Sequence, residues 1–282
     1  MIRLVHIFIF LLVLFSTSPV YALKVMTFNL FTGSKHKKEA FIKVLKKGNA
    51  DIIIINEANN IAVFNELSKS LNYYSVLSIK NHYNVGVLSR YPIKSHTFHH
   101  IKVLAKSLVE VHIKVPDIKD EVIVFACHLN ALNTNKRRKK RIKEMEAILP
   151  IISKYQGRKI IFAGDMNEVS HLDKNIKGKC VSKLIQNIGL IDSYRNYHEV
   201  VEVSPGYTHN ILMIPTKRID YIYLSNHFKI VSSDTIDKRI LRPWPSDHAA
   251  VVTEIEIKNA RNHEVIKNIS GSKNDIIFAR IE

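Results

Sequence analysis

The chain has 282 residues, of which 46% are hydrophobic, and it carries a formal net charge of +17 at pH 7. No internal repeat or low-complexity tract is present, which excludes a solenoid and leaves one large α/β domain as the simplest organisation. The positive excess favours an anionic partner, such as nucleic acid, a phosphorylated small molecule or an anionic membrane surface.

The first 22 residues have the pattern of a secretory signal peptide. A positive charge at Arg3 precedes an apolar run from Leu4 to Phe15, and the segment closes on Val20-Tyr21-Ala22. A membrane anchor is the alternative, but the apolar run falls short of the ~20 residues that span a bilayer. We therefore predict cleavage after Ala22 and an exported mature chain, periplasmic or secreted, without a transmembrane segment.

The sequence has two cysteines, Cys127 and Cys180. In an oxidising compartment they could form a disulfide. Cys127 stands in an apolar strand, however, and a buried free thiol is at least as good an interpretation. The spacing of the two residues is not that of a zinc site.

The predicted elements begin with a strand, a helix and a strand, at residues 24–30, 37–48 and 51–56. A second helix at 63–71 is followed by five strands without an intervening helix, at 74–79, 84–88, 93–98, 107–115 and 122–127. Strands so closely spaced favour antiparallel pairing.

The second half of the chain alternates helices and strands. Helices are predicted at about 134–154 and near 181–188, and strands at 159–163, 218–224, 229–233 and 249–257. Mixed strands with helices between them predict packed sheets that are covered by helices. We assign residues 23–258 to this single domain and the polar, weakly patterned residues 259–282 to a C-terminal tail.

Polar side chains recur where the predicted apolar strands end. They are Asn29, Glu57, His128 with Asn130, Asp165 with Asn167, Asp220, and Asp247-His248. Each one alone is more often a turn residue or a helix cap than a catalytic group. Six such positions in one chain instead indicate a functional site presented by a rigid scaffold.

At these positions the sequence resembles the endonuclease/exonuclease/phosphatase superfamily, and in particular a deoxyribonuclease I-like, secreted bacterial-type member. The most specific motifs are GDMN at 164–167 and SDH at 246–248, in the right order with NL at 29–30, NE at 56–57, HLNA at 128–131 and RIDYIY at 218–223. The resemblance implies a four-layered α/β sandwich, in which two mixed β-sheets pack face to face between helices. It also implies a site at one edge of the sheets.

The resemblance further implies roles for these residues. Glu57 would be the main metal ligand, with Asn29 beside it and Asp247 completing the set. Such oxygen ligands suit Mg²⁺, or Mn²⁺ or Ca²⁺ in some members.

The other residues would act on the phosphate. Asp165 would orient or deprotonate the attacking water, and Asn167 would hold the same water or a phosphate oxygen. Asp220 would orient His248 for charge stabilisation or proton transfer. His128 and Asn130 would contact the phosphate or the leaving group. A rival Ser-His-Asp triad built on Ser246 is disfavoured, because three contiguous residues cannot easily converge on one another.

The chemistry of a phosphodiester makes the same demands. The substrate is already anionic and its transition state gathers further negative charge, so the site must supply positive charge and an aligned water. A metal provides Lewis acidity, and an Asp–His pair fixes the tautomer of one imidazole. The expected enzyme is therefore a metal-dependent phosphodiester hydrolase.

Two positions depart from the family pattern. Asn56 stands where a Gln often precedes the metal-binding Glu, which changes the hydrogen bonds around Glu57. Lys106 stands where many nucleases place an Arg, and lysine contacts phosphate only as a point charge.

A basic run at 135–143 follows the HLNA motif and enters the long predicted helix. Its residues Arg137, Arg138, Lys140 and Arg141 are predicted to contact a nucleic-acid backbone, although a solvated helix face is the alternative. Trp244, beside SDH, is expected to pack in the core, or else to stack on a base or touch lipid.

These features favour an exported nuclease acting on DNA or RNA. The alternative is a phospholipid-directed enzyme, either a sphingomyelinase-like phosphodiesterase or a phosphoinositide phosphatase, acting on anionic phospholipid or inositol phosphate. A non-catalytic binding module is disfavoured because the inferred catalytic set is complete.

Overall fold

The computed structural model describes residues 22–80, 83–236 and 241–257. The predicted signal peptide, except for Ala22, and the predicted C-terminal tail lie outside these residues. Within them, no helix has the length and apolar character that a membrane crossing requires.

The described residues form two sheets. The first, sheet A, has six strands there, and both parallel and antiparallel neighbours occur in it. In sheet order its strands are β11 (Phe228–Ile236), β12 (Ala250–Ile257), β1 (Ala22–Asn29), β2 (Ile52–Asn56), β4 (Val85–Ser89) and β3 (Tyr74–Ser78). Only β1 and β2 are parallel neighbours.

Sheet B has six strands and the same mixed character. In sheet order its strands are β5 (Ile93–His99), β6 (Leu108–Ile113), β7 (Val122–His128), β8 (Lys159–Asp165), β10 (Asp220–Leu224) and β9 (Ile191–Asp192). Here β7 and β8 are the parallel pair. The antiparallel pairing that was predicted for the closely spaced strands is confirmed.

Five α-helices cover the sheets in the described part of the chain. They are α1 (Lys38–Gly48), α2 (Ile61–Leu71), α3 (Asn135–Ser153), α4 (Val181–Asn187) and α5 (Ser193–Tyr197). Polar side chains cap the N-termini of three of them. Asn60 accepts a hydrogen bond from the backbone of Val63, Thr134 accepts one from that of Arg137, and Asp192 accepts from the first backbone N–H groups of α5. Asn49 and Asn72 take the left-handed conformation that ends α1 and α2.

Three buried apolar clusters define the layers. The central cluster lies between the two sheets and joins residues such as Val25 and Ile54 of sheet A to Val124 and Ile161 of sheet B. A second cluster packs α1 and α2 on sheet A, and a third packs α3 and α4 on sheet B. The order helix, sheet, sheet, helix confirms the predicted four-layered sandwich.

The differences from the predicted elements are short segments. The two-residue β9 and the five-residue α5 were not predicted, nor were the 3₁₀ turns Phe31–Gly33 and Lys35–Lys37. Segments this short have too few residues to show a hydrophobic period. Cys127 and Cys180 are both buried free thiols, which decides between the two interpretations offered above.

Candidate active site

The strand register brings the predicted residues to one edge of the sandwich. In sheet A, Asn29 lies beside Asn56 at the ends of the parallel strands β1 and β2. In sheet B, Asp165 at the end of β8 is flanked by His128 of β7 and Asp220 of β10. Parallel strands end at the same edge, so both sheets present polar side chains at a common opening.

A buried polar contact joins the two sheets at this edge. The side chain of Asn56 donates to the Cys127 carbonyl at 2.9 Å and accepts from the Asp165 backbone N–H at 3.0 Å. Gly164 of β8, at φ +137°, allows the backbone of β8 to approach that of β7, because a Cβ at this position would lie 2.0 Å from the Cys127 carbonyl oxygen. The glycine of the GDMN motif is therefore required by the approach of two backbones.

Asp165, Asp220 and His248 form a buried cluster. His248 Nδ1 lies 2.8 Å from Asp220 Oδ2. Burial opposes the charge on His248, but the Asp220 carboxylate outweighs it and raises the pKa of His248 to about 10. Burial and the negative charge of Asp220 raise the pKa of Asp165 to about 6. The cluster thus holds an imidazolium beside a carboxyl group that exchanges its proton near neutral pH.

Glu57 is held on a backbone of left-handed conformation, with φ 55°. Its Oε2 accepts from the backbone of Thr32 at 3.0 Å, and its Oε1 accepts from Asn29 Nδ2 at 3.3 Å. The same Asn29 nitrogen donates to Asp165 Oδ2 at 3.1 Å, so one amide bridges two carboxylates. A left-handed Glu costs of order 1–3 kcal/mol, and such costs concentrate at functional sites.

His128 is a neutral imidazole facing both acids. Its Nε2 lies 3.5 Å from Asp165 Oδ2 and 4.0 Å from Glu57 Oε1. Burial above all, and then the charges of Lys106 and His248, keep the pKa of His128 well below its ordinary value. A neutral imidazole can donate one hydrogen bond without adding charge to the site.

Lys106 lies behind the loop that follows β7. Its Nζ donates to the Leu129 carbonyl at 2.8 Å and stands 5.1 Å from the centre of the Tyr83 ring. Burial lowers the pKa of Lys106 to about 8, although the charges of Asp165 and Glu57 act in the other direction. The predicted phosphate contact is thus a largely buried ammonium that is bonded to the protein backbone.

The loop residues Asn130 and Asn167 frame the site. Asn167 has a left-handed backbone conformation, with φ 50°. Its backbone N–H donates to Asp165 Oδ1 at 2.8 Å, and its side-chain amide donates to the Leu129 carbonyl at 3.2 Å. The backbone N–H of Asn130 donates to Glu144 Oε2 at 2.9 Å. Both side chains are fixed by local hydrogen bonds at the mouth of the site.

Two residues that sequence reasoning missed also belong to the site. Buried Thr208 accepts from the backbone N–H groups of Ile219 and Asp220, at 3.0 and 3.1 Å, and so fixes the start of β10. The ring of His209 lies 5.0 Å from that of His248, nearly perpendicular to it. The only sequence signal was a polar Thr-His-Asn stretch before RIDYIY, which reads as an ordinary loop.

The predicted metal ligands divide between two places. Glu57 and Asn29 are in contact, whereas Asp247 groups with His209 and His248, all with ligand atoms within 4.8 Å of one another. Among the described residues, Asp247 Oδ1 is buried without a hydrogen-bond donor, and its charged neighbour is the His248 imidazolium, whose Nε2 lies 3.9 Å away. Carboxylate and amide oxygens are the ligands that a hard divalent cation takes, so these residues fit one.

Within the basic run, the predicted phosphate contact of Arg141 is wrong. Arg141 is only 1% exposed, and its guanidinium donates to the carbonyls of Asn130 and Leu132, at 3.1 and 2.8 Å. It has no surface to offer a phosphate, so we remove Arg141 from the predicted phosphate-binding set. The run of basic residues suggested that all of its side chains are exposed, but even a highly charged helix packs one face against the core.

The other arginines of the run are partly engaged by the protein. Arg137 donates to Asn130 Oδ1 at 3.1 Å, and Arg138 donates to the Lys179 carbonyl at 3.0 Å. Lys140 lies half-exposed on α3. The run therefore organises the loop after β7 as well as presenting charge.

Two further side chains near His248 are structural. Trp244 is 4% exposed, lies 5.9 Å from the Phe28 ring and donates to the His248 carbonyl, so it packs rather than stacking on a base or lipid. Ser246 donates to the Asn29 carbonyl at 2.7 Å and accepts from the His248 backbone, as a turn residue and not as a nucleophile.

Residues 26–248 match the sequence model of the Endonuclease/Exonuclease/phosphatase family. The chain belongs to this family. No curated protein gives a significant match to it.

Solved structures with the fold of this family match most of the chain. An endonuclease/exonuclease/phosphatase from Beutenbergia cavernae DSM 12333 has a TM-score of 0.69 and 18% identity, covering 85% of this chain and 72% of that one. Truncated TDP2 from Caenorhabditis elegans has a TM-score of 0.64 and 20% identity, covering 84% and 98%. A family protein from Bacteroides thetaiotaomicron has a TM-score of 0.66 and 16% identity, covering 86% and 100%. At these identities the likeness establishes the shared fold.

Proposed function

We propose that the protein is an exported, divalent-metal-dependent nuclease that hydrolyses phosphodiester bonds of nucleic acid. The observation that carries the proposal is the buried Asp165–Asp220–His248 cluster, which opens beside Glu57 and Asn29. This arrangement offers a proton acceptor, a fixed positive charge and oxygen ligands at one opening, as phosphoryl transfer demands.

In the proposed reaction Asp165 takes the proton of the attacking water, since its raised pKa makes it a better base than an ordinary aspartate. Asn167 orients that water. The imidazolium of His248, held by Asp220, donates to the non-bridging oxygen that gains charge.

The remaining residues hold the substrate. His128 donates a hydrogen bond to the phosphate or the leaving group, and Asn130 contacts the same side. A cation such as Mg²⁺, held by Glu57 with Asn29, would supply Lewis acidity at the phosphoryl oxygens when bound, and Asp247, which groups with His209 and His248, would complete the acidic set.

Charge supports nucleic acid as the substrate. The net charge of +17 favours a polyanion, and exposed Lys136, Lys139 and Lys143 lie on the helix that follows the His128 loop. Nucleic acid presents regularly spaced phosphates that such lysines can neutralise, with release of counterions.

A substrate panel tests the proposal. Purified protein is incubated with DNA, RNA, sphingomyelin vesicles and phosphoinositide vesicles, each with Mg²⁺ and each with excess chelator, and an Asp165→Asn variant serves as the matched control. We expect metal-dependent cleavage of DNA or RNA that the variant lacks. Release from either lipid alone, or full turnover in chelator, would overturn the proposal.

A further inference from the structure

A pocket of about 310 Å³ adjoins the candidate active site on the side of Asn167 and His209. This volume is at the lower end of the range of small-molecule sites, about 300–1,000 Å³. Its walls are mainly apolar and include Leu132, Val169 and Ile219, and Lys217 also lines it. A ligand reaching the catalytic carboxylates can therefore place a neighbouring group here.

Lys217 is the uncompensated charge of this pocket. It is half-buried, its backbone carbonyl accepts hydrogen bonds from the N–H groups of Thr208 and His209, and its side-chain ammonium makes no hydrogen bond or ion pair within the described parts of the chain. The one acid in the wall, Glu168, is balanced by Arg138 at 3.5 Å and Arg141 at 3.7 Å. The pocket thus combines apolar walls with a single free cation.

Leu132 is held in an unfavourable conformation at the same pocket. Its φ is 75°, in the left-handed region that a leucine seldom adopts, and its side chain is 64% exposed. The buried guanidinium of Arg141 fixes it there through the Leu132 carbonyl. Stability alone would favour Gly or Asn at this position, so an exposed, strained leucine indicates a role in binding.

We propose that this pocket holds the nucleotide unit next to the scissile phosphate: Leu132, Val169 and Ile219 pack on its base or sugar, and Lys217 binds its next phosphate. The inference rests on the proposed nuclease function and adds a subsite to it. Apolar surface alone would fit many ligands, but a free ammonium beside it suits a flat or apolar group that carries an adjoining anion.

The first test compares Lys217→Gln with Lys94→Gln, which removes an exposed lysine from β5, at the far edge of sheet B. Specificity constants are measured for a single-stranded oligonucleotide and for bis(p-nitrophenyl) phosphate, which has no second phosphate. For Lys217→Gln we expect the ratio of the two constants to fall about tenfold, through KM on the oligonucleotide. The control should keep the wild-type ratio.

Binding provides a readout that does not need turnover. The affinity of a fluorescent oligonucleotide, measured in chelator over a range of salt, should lose about 0.7 from its log–log salt slope when Lys217 is neutralised, as one lost phosphate contact requires. An unchanged slope and an unchanged ratio would remove Lys217 from the substrate site.

The second test uses Leu132→Asn, because Asn tolerates the left-handed conformation. We expect an unchanged or higher melting temperature together with a raised KM for the oligonucleotide. A lower melting temperature with equal loss on both substrates would make Leu132 merely structural and overturn its assignment.

The outcomes separate the two proposals. If the wild-type protein cleaves neither phosphodiester, the nuclease function fails and the subsite fails with it. If the wild type cleaves both and the two pocket variants behave like Lys94→Gln, the subsite alone is wrong.

Discussion

At the scale of single residues, Asn29 shows how tightly the acids of this site are linked. One amide nitrogen donates to both Glu57 and Asp165, the first a proposed metal ligand and the second the proposed base. Two carboxylates this close repel each other when both are ionised, and the shared donor reduces that repulsion. A cation on Glu57 would reduce it further.

We expect Glu57→Gln to lose most of the activity, because the substitution removes the charge of the proposed ligand while nearly keeping its shape. The measurement is turnover of DNA against Mg²⁺ concentration, with Glu66→Gln on the exposed face of α2 as control. The control should keep the wild-type titration curve. Full turnover of Glu57→Gln at ordinary Mg²⁺ would remove Glu57 from the mechanism.

The pH dependence follows from Asp165 and His248. The proposed base works when ionised, so kcat/KM should fall as the pH drops through about 6, the raised pKa of Asp165. It should fall again above about 10, where His248 loses its proton. Asp165→Asn should lower turnover by ~10²–10⁴-fold and abolish the acid limb of the profile. An acid limb that persists in the variant would assign it to another group.

The sequence alone located candidate residues at the ends of strands, because a strand end is visible as the limit of an apolar run. Asn29, His128 and Asp165, at the ends of their strands, are brought together as expected with Asp220, which begins β10. Thr208 and His209 were missed, since their place depends on a backbone pairing with Lys217 across a loop. Arg141 was misassigned because charge in a sequence does not show which helix face is buried.

At the scale of elements, a buried ion-pair network anchors the start of β10. Arg218 makes paired hydrogen bonds to Asp192, at 2.9 and 2.7 Å, and to Asp173, at 2.9 and 3.0 Å. Arg195 also pairs with Asp173. The network ties β9, α5 and the loop after β8 to the strand that carries Asp220, so it supports the site from behind.

Replacing Arg218 with Met should destabilise the fold by about 3–5 kcal/mol, because two buried carboxylates lose a partner. Urea unfolding provides the free energy of unfolding. The matched control is Lys229→Met in the exposed pair with Glu256 on sheet A, where the cost should stay at about 1 kcal/mol or less. Equal, small costs for both variants would contradict the assigned role of the network.

The main elements could be predicted because their hydrophobic periods run for five residues or more. The network could not, since Asp173, Asp192 and Arg218 stand far apart in the chain and in short or irregular segments. The contact of Asn56 with both sheets was equally hidden. It replaces an expected Gln, and only the structure shows it joining β2 to β7 and β8.

At the scale of the whole molecule, the export prediction has a direct test. The mature protein should begin at Leu23, because Val20-Tyr21-Ala22 places small residues where a signal peptidase acts. The measurement is the intact mass of protein recovered from outside the cytoplasm. An Ala22→Lys variant should accumulate uncleaved, and a wild-type mass that includes Met1 would contradict the prediction.

The pairing of β1 with β12 determines when the candidate active site is assembled during folding. Ser246 donates a hydrogen bond to the Asn29 carbonyl across 217 positions of sequence, and His248 lies just ahead of the last described strand, β12, from which Ala249 separates it. A chain that is still being synthesised, or one that is kept unfolded during export, therefore has Glu57 and Asp165 but lacks the His248 imidazolium in its place beside them. For the proposed nuclease, the catalytic cluster would therefore assemble only after β12, the last described strand, has paired with β1, so an incomplete chain would be inactive.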